Sequence, residues 1–247
     1  MQPDTSVNRI TSAVILAGGL GTRLRSVVPE LPKPMAPVDG RPFLEHLIGY
    51  WVKQGISHFV LSVGYRHEAI SGHFGASFLG AQIDYVIEES PLGTGGGLLL
   101  AAQTLSNDQR FLLLNGDTYF AVNLNALADF AVSEDADWCF SLFRAQETGR
   151  YMGMELTAQG RIQSLKSGTG QLGRLANGGV YVVHPRAMAK SQFVPGDRAS
   201  LEDDIFDVAL RTGQTMVGIE CDGRFIDIGI PADYRRAPEV IGLESTQ

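Results

Sequence analysis

At 247 residues the chain is long enough to bury a large core, and α/β domains of this size commonly form one unit, so a single domain spanning the whole sequence is expected. A formal net charge of −7, from 20 basic and 27 acidic side chains, excludes the basic face that nucleic acid or an anionic membrane demands; any anionic ligand must find a locally positive pocket. Cys139 and Cys221 lie far apart in apolar runs and read as free thiols of a reducing cytoplasm, not as a disulfide or a metal clip.

Met1–Thr11 is polar and lacks the charged and apolar regions of a secretory signal, and no later run approaches the length of a membrane span. A frayed start on a cytoplasmic protein is expected. The first apolar run, Ser12–Ala17, predicts a strand that leads into Leu16-Ala17-Gly18-Gly19-Leu20-Gly21-Thr22-Arg23-Leu24. Glycines at 18, 19 and 21 remove side chains where backbone N–H groups approach anionic oxygens, and Arg23 with the later Lys33 supplies full positive charge. A triphosphate is the ligand this combination suits. A Walker A loop does not fit, because no Gly-Lys-Ser/Thr follows, and a dinucleotide fingerprint fits badly, because Leu24 stands where its third glycine belongs. Pro29, Pro32, Pro34 and Pro37 stiffen the segment Val28–Asp39, which is expected to form an extended surface loop that carries Lys33 and closes over a ligand.

Phe43, Leu44, Leu47, Ile48, Trp51 and Val52 fall on one face of a helix that starts near Pro42 and stops at Gly55. Apolar runs at His58–Val63, Ile83–Glu88 and Phe111–Asn115, with helix-like stretches from Arg66 to Phe74 and Thr94 to Leu105, give the alternation of a mostly parallel sheet flanked by helices. Ser90-Pro91-Leu92-Gly93-Thr94-Gly95-Gly96-Gly97 is a second glycine cluster after a strand. It suits backbone laid against a base or ribose, and equally a strand-to-helix turn with glycines for close packing. Asn115-Gly116-Asp117 ends a very apolar strand, where ligands of open parallel sheets collect, and Asp117 sits where a metal-binding carboxylate would.

After a helix through Leu127 and Phe130 and the run Trp138–Phe143, shorter runs at Gly153–Leu156, Arg161–Leu165, Gly178–His184 and Thr215–Glu220 predict a mixed-sheet extension, with one helical stretch from Leu201 to Leu210. Asn177-Gly178-Gly179 offers neutral donors and acceptors suited to a polyhydroxyl ligand, and Glu202 starts a helix whose dipole it complements. Asp227, between two isoleucines and followed by Gly229, is a charge in an apolar run that needs a partner; beside a phosphate loop, Asp117 and Asp227 together point to a cation. The five histidines show no ligand spacing, and no nucleophile elbow is present.

From Thr11 to Tyr234 these motifs resemble the sugar-nucleotide pyrophosphorylases, the nucleotidyltransferases that join a sugar 1-phosphate to a nucleoside monophosphate drawn from a triphosphate. The resemblance implies a Rossmann-like, GT-A-like fold with a nucleotide-binding half of about 11–120 and a sugar-binding half of about 121–236. It implies that Leu16, Ala17, Gly18, Gly19, Gly21, Thr22, Arg23, Glu88, Pro91, Gly93 and Thr94 bind the nucleotide. Asn115, Gly116, Tyr151, Gly153, Lys166, Asn177, Gly178 and Glu202 would take the sugar phosphate, Asp117 and Asp227 would hold Mg²⁺, and Arg23, Lys33 and Asp117 would be catalytic. The reaction implied is in-line attack by a sugar-phosphate oxygen on the α-phosphorus, with pyrophosphate leaving.

Within the family, Pro32-Lys33-Pro34-Met35-Ala36-Pro37-Val38, Arg41-Pro42-Phe43-Leu44-Glu45 and Glu89-Ser90-Pro91-Leu92-Gly93-Thr94-Gly95-Gly96 are most similar to the guanylyltransferases of D-glycero-α-D-manno-heptose 1-phosphate, which implies GTP as donor and a precursor of surface glycans as product. Two departures fall on the sugar side: Met152 intervenes between Tyr151 and Gly153, and Leu165-Lys166-Ser167 stands where a Glu-Lys pair is usual, leaving Lys166 as the candidate for the sugar phosphate. The alternatives are another sugar 1-phosphate or nucleotide, a nucleotide-sugar sensor without catalysis, and, from the glycine loop alone, a nicotinamide dehydrogenase.

Overall fold

The computed structural model describes residues 9–19, 21–24, 26–106 and 109–242; residues 1–8 of the expected frayed start, and Leu20 of the glycine loop, lie outside the described residues. Strand β1 (Ser12–Ala17) leads through a small hairpin of β2 (Pro37–Val38) and β3 (Arg41–Pro42) into helix α1 (Phe43–Lys53). There follow β4 (His58–Val63), α2 (His67–Phe74), β5 (Ser77–Phe78), β6 (Ala81–Ile87), α3 (Gly93–Ala102) and β7 (Phe111–Asn115). The second half comprises β8 (Thr118–Phe120), α4 (Leu124–Ser133), β9 (Trp138–Arg144), β10 (Gly153–Leu156), β11 (Ile162–Lys166) and β12 (Leu175–Val183). Helices α5 (Arg186–Ala189) and α6 (Phe206–Arg211), strands β13 (Met216–Glu220) and β14 (Phe225–Asp227), and helix α7 (Pro231–Gly242) complete it.

Among the described residues, ten strands join in one sheet, with β7, β1, β4 and β6 adjacent and parallel at its centre. Alternation along these strands divides their side chains between two cores. Ala13, Ile15, Phe59, Leu61, Leu112 and Leu114 face Leu47 and Trp51 of α1, Ile70 of α2 and Leu127 of α4. Val14, Val60, Phe111 and Leu113 face Leu98 of α3 and Phe206 of α6. With both faces covered, these strands need the unbroken apolar runs that the sequence carries. Each buried Leu, Ile or Phe there contributes about 1.5–3 kcal/mol from lost contact with water.

The C-terminal half extends this same sheet. Strand β12 runs antiparallel to β7 and to β9, and β13 joins β9 in parallel. The pairing of β12 with β9 shifts register between Asn177 and Tyr181. Gly179 has φ of +71° there, and a side chain at Gly178 would drive into the Phe120 ring, so the two glycines permit a bend that an unbroken strand would not make.

The expected surface loop Val28–Asp39 is corrected by the structure. Val28, Ala36 and Val38 are buried with Leu24, Phe43, Tyr119, Ile226 and Ile228 in a third core beneath the glycine loop, and Pro34 and Met35 sit in a buried 3₁₀ turn, Lys33–Met35. The segment is an anchored strap: Val28, Ala36 and Val38 would have to leave that core, and Met35 the core around α1, for it to move as a lid.

Candidate active site

Phosphate-loop geometry begins at the carboxyl ends of β1, β4, β6 and β7, where the backbone is crowded. A side chain at Gly116 would strike the Leu16 carbonyl at 2.5 Å, one at Gly64 the Gly18 carbonyl at 3.1 Å, and one at Gly18 the Glu88 carboxylate. Gly21, at φ +60°, lets the loop turn so close to Lys33 that a side chain there would place its Cβ 3.1 Å from Lys33 Cβ. A 3₁₀ turn, Thr22–Leu24, then sets Arg23 at the surface, where it makes no ion pair among the described residues.

Asp117 and Asp227, far apart in the chain, are brought together by β8 and β14, whose antiparallel register pairs Asp227 with Thr118, while Ile228 N–H donates to the Asp117 carbonyl at 3.0 Å. Lys33 Nζ lies between the two acids. It forms an ion pair with Asp117 Oδ2 and stands 3.8 Å from Asp227 Oδ1, with only 10% of its side chain exposed. Gly229 N–H donates to Asp227 Oδ1 at 2.6 Å, and a Cβ at Gly229 would come within 3.1 Å of Lys33 Nζ.

Burial pushes the Asp117 carboxyl up, but the Lys33 ammonium and the Thr118 hydroxyl outweigh it and hold Asp117 below the usual carboxylate range. At Asp227, burial and the neighbouring Asp117 charge prevail over Lys33, and the carboxyl is raised. Two acids with one amine between them form a site with room for further positive charge. Among the described residues no group of three or more His, Cys, Asp or Glu stands together. A divalent cation here would therefore take one or two carboxylates and complete its shell with ligand oxygens and water.

Two cavities meet at Asp227 of this cluster. The larger, about 490 Å³, is lined by every residue assigned above to the nucleotide: Leu16, Ala17, Gly18, Gly19, Gly21, Thr22, Arg23, Glu88, Pro91, Gly93 and Thr94. Lys33, Asn115, Gly116, Asp117, Glu202 and Asp227 line it as well. Gly95 and Gly96 instead pack against the segment before α6, their N–H groups donating to the Ala199 carbonyl at 2.9 and 3.2 Å, so here close packing is the reason for glycine. Glu88 accepts from Ser62 Oγ and from Leu92 N–H, each at 3.0 Å, which fixes its carboxylate in the cavity wall.

The smaller cavity, about 310 Å³, is lined by Tyr151, Asn177, Gly178 and Gly179 and shares Arg23, Asn115, Glu202 and Asp227 with the first. Asn177 Nδ2 donates to Tyr181 Oη at 2.7 Å. Glu202, in a π-helical turn Leu201–Ile205, accepts from Thr94 Oγ1 at 3.2 Å, and burial raises its carboxyl. Burial likewise pushes the Tyr151 phenol up to about 12.

Two expected sugar-side residues are not brought to either cavity. Lys166 ends β11 with an exposed side chain, and Gly153 packs on Thr169 while Met152 takes the place in the wall. Conversely Thr118, Arg150, Ser167 and Gly229 line the cavities and had not been singled out. Gly229 and Arg150 adjoin motif residues in sequence, but no spacing rule marks either.

Residues 12–242 match the Nucleotidyl transferase family. The chain belongs to that family. It is 41% identical over 226 residues to the D-glycero-alpha-D-manno-heptose 1-phosphate guanylyltransferase of Aneurinibacillus thermoaerophilus, covering 91% of this chain and 96% of that protein. A protein of the same name from Campylobacter jejuni is 36% identical, with 90% and 96% covered. Among solved structures, HddC from Yersinia pseudotuberculosis, also determined complexed with GMP-PN, superimposes with a TM-score of 0.81 at 31% identity, covering 93% of this chain and 99% of that one. The nucleotidyltransferase fold thus holds for the whole described sheet. No helix among the described residues is long and apolar enough to cross a membrane.

Proposed function

We propose that this nucleotidyltransferase joins GTP to D-glycero-α-D-manno-heptose 1-phosphate, releasing pyrophosphate and forming GDP-heptose. The observation that carries the reading is the junction of two cavities at Asp227, beside Lys33 and Asp117 of the larger one, which has a glycine loop in its wall, while the smaller offers neutral amides suited to sugar hydroxyls. The named relatives supply the choice of heptose and guanine. Glu88 agrees with guanine: a carboxylate is acceptor-only and can take the ring N–H and amino donors that guanine presents together.

An oxygen of the acceptor phosphate attacks the α-phosphorus of GTP in line. The new P–O bond forms as the bond to the α,β-bridging oxygen breaks, and pyrophosphate leaves with that electron pair. The chain need supply no nucleophile; its task is to align two anions and offset charge as it moves. Loop N–H groups of Gly18, Gly19, Gly21 and Thr22 and the Arg23 guanidinium meet the triphosphate, while Asn177 and Glu202 orient the acceptor. Lys33 balances the charge between the two cavities. Asp117 and Asp227 would hold Mg²⁺, which when bound supplies Lewis-acid polarisation of phosphoryl oxygens. A reducing cytoplasm, where the free thiols Cys139 and Cys221 persist, is the compartment that suits the protein.

A matrix of four nucleoside triphosphates against heptose, mannose, glucose and N-acetylmuramic acid 1-phosphates, scored by pyrophosphate release with Mg²⁺, tests the reading. Fastest turnover is expected for GTP with the heptose phosphate. Preference for another pair refutes the assigned substrates, and binding without turnover across the matrix refutes catalysis.

A further inference from the structure

Arg150 stands where the sugar-side cavity meets Asp227. Its side chain is 14% exposed and lines that cavity beside Tyr151, whose ring centroid lies 4.9 Å from the guanidinium carbon. Nη2 donates to the Asp227 carbonyl at 3.2 Å, lies 3.9 Å from Asp227 Oδ2, and forms an ion pair with Asp233 of α7. Among the described residues lining this cavity, the cationic side chains are Arg150 and the exposed Arg23. Lys166 lines neither cavity.

We propose, resting on the guanylyltransferase reading above, that Arg150 carries the positive charge that receives the acceptor's phosphate and at the same time holds Asp227 in register with it. The charge is not used up within the chain. Asp233, the acid that Arg150 meets most closely, is shared with Arg236 at 3.2 Å. Nη1 makes no hydrogen bond among the described residues, and its acid neighbour Glu147, at 3.6 Å, is more than half exposed and therefore screened by water. With the ring of Tyr151 fixing one face, the planar fork keeps the edge geometry that suits a phosphate, which a lysine ammonium does not reproduce. A sugar phosphate in this cavity would also stand next to Asp227, a carboxylate that repels it. Arg150 is placed to offset that repulsion from the sugar side, as Lys33 is from the loop side.

The assignment separates acceptor from donor. Pyrophosphate release would be followed at saturating GTP with varied heptose 1-phosphate, and GTP binding measured alone by calorimetry, for Arg150→Gln, Arg150→Lys and Lys166→Ala. Arg150→Gln should raise the acceptor KM 10-fold or more with the Kd for GTP within twofold of wild type. Arg150→Lys should fall between the two, since it keeps the charge and loses the fork, and Lys166→Ala should stay within twofold in both measurements. Should Arg150→Gln not fold, Arg150→Lys decides: an acceptor KM above wild type with GTP binding intact supports the role, and a wild-type KM overturns it. A rise confined to Lys166→Ala, or an equal weakening of GTP and acceptor in the Arg150 variants, also overturns it. A wild-type protein that releases no pyrophosphate overturns the functional reading itself, whereas a working wild type with unaffected Arg150 variants removes only this assignment.

Discussion

Gly229 faces both an acid and an amine of the junction, since a Cβ there would lie 2.8 Å from Asp227 Oδ1 and 3.1 Å from Lys33 Nζ. Gly229→Ala should therefore displace Lys33 from between the acids, lowering pyrophosphate release at least 10-fold while the melting temperature stays near wild type; an unchanged rate would show that the Lys33 position is immaterial. Glu88→Gln replaces one acceptor oxygen with a donor in the nucleotide wall, and the ratio of rates with GTP and ATP should fall by a factor of about 10 or more, the cost of mismatching one buried polar pair. The lining of the larger cavity was legible in the sequence because so close an approach of backbone to its neighbours restricts the chain to glycine and a few polar types. Arg150 was not, since its meaning lies in Asp227 and Asp233, which reach it only through β14 and α7.

At the scale of elements, α3 contains Gly93, Gly95, Gly96 and Gly97, each costing about 1 kcal/mol of helix propensity against alanine. The cost is borne because the segment before α6 lies directly on Gly93, Gly95 and Gly96, and Ser62 and Glu88 on Gly97: a Cβ at Gly95 would be 2.8 Å from Ile205 Cγ1, and one at Gly96 would overlap the Asp197 carbonyl. Gly96→Ala, although favourable for an isolated helix, should destabilise the protein by about 1–3 kcal/mol, read as a fall in melting temperature. A rise instead would mean that the segment yields freely. The parallel strands and α1 were legible from apolar runs and period alone. The three-residue β8 was not, because Thr118–Phe120 is too short for any period; Asp117 and Asp227 were paired by their chemistry and the family resemblance, and the strand pairing that joins them was not legible. The proline-rich strap was misread for a related reason: prolines mark stiffness, but whether a stiff segment is exposed depends on the core it meets, here Tyr119, Ile226 and Ile228.

Across the whole molecule, charge is segregated. Away from the cavities, Asp137 is 1% exposed at the start of β9 and accepts from Arg186 Nε at 2.5 Å, from Lys190 Nζ at 3.0 Å and from Thr215 N–H at 2.8 Å. Burial would raise its carboxyl, yet these donors hold it below the ordinary value. A depressed folded-state pKa contributes stability that is fully present above the unfolded value near 3.9 and is lost as pH falls through the folded one. Asp137→Ala should cost about 2 kcal/mol at neutral pH and flatten the acid limb of the stability curve, with GTP binding unaffected. The overall α/β plan and a cavity at the strand ends beside the glycine loop followed from sequence alone. The sugar side did not, because its walls come from loops between short antiparallel strands, where Met152 and Lys166 give no periodic cue to which side they face.

The claim on which the rest depends is that Lys33, Asp117 and Asp227 together carry the phosphoryl transfer. It is tested most directly by the rate of pyrophosphate release from GTP and D-glycero-α-D-manno-heptose 1-phosphate, compared between wild type and Asp117→Asn at matched melting temperature. Loss of one such electrostatic group should slow release on the order of 100- to 1000-fold. A folded Asp117→Asn protein that releases pyrophosphate at the wild-type rate would contradict the account.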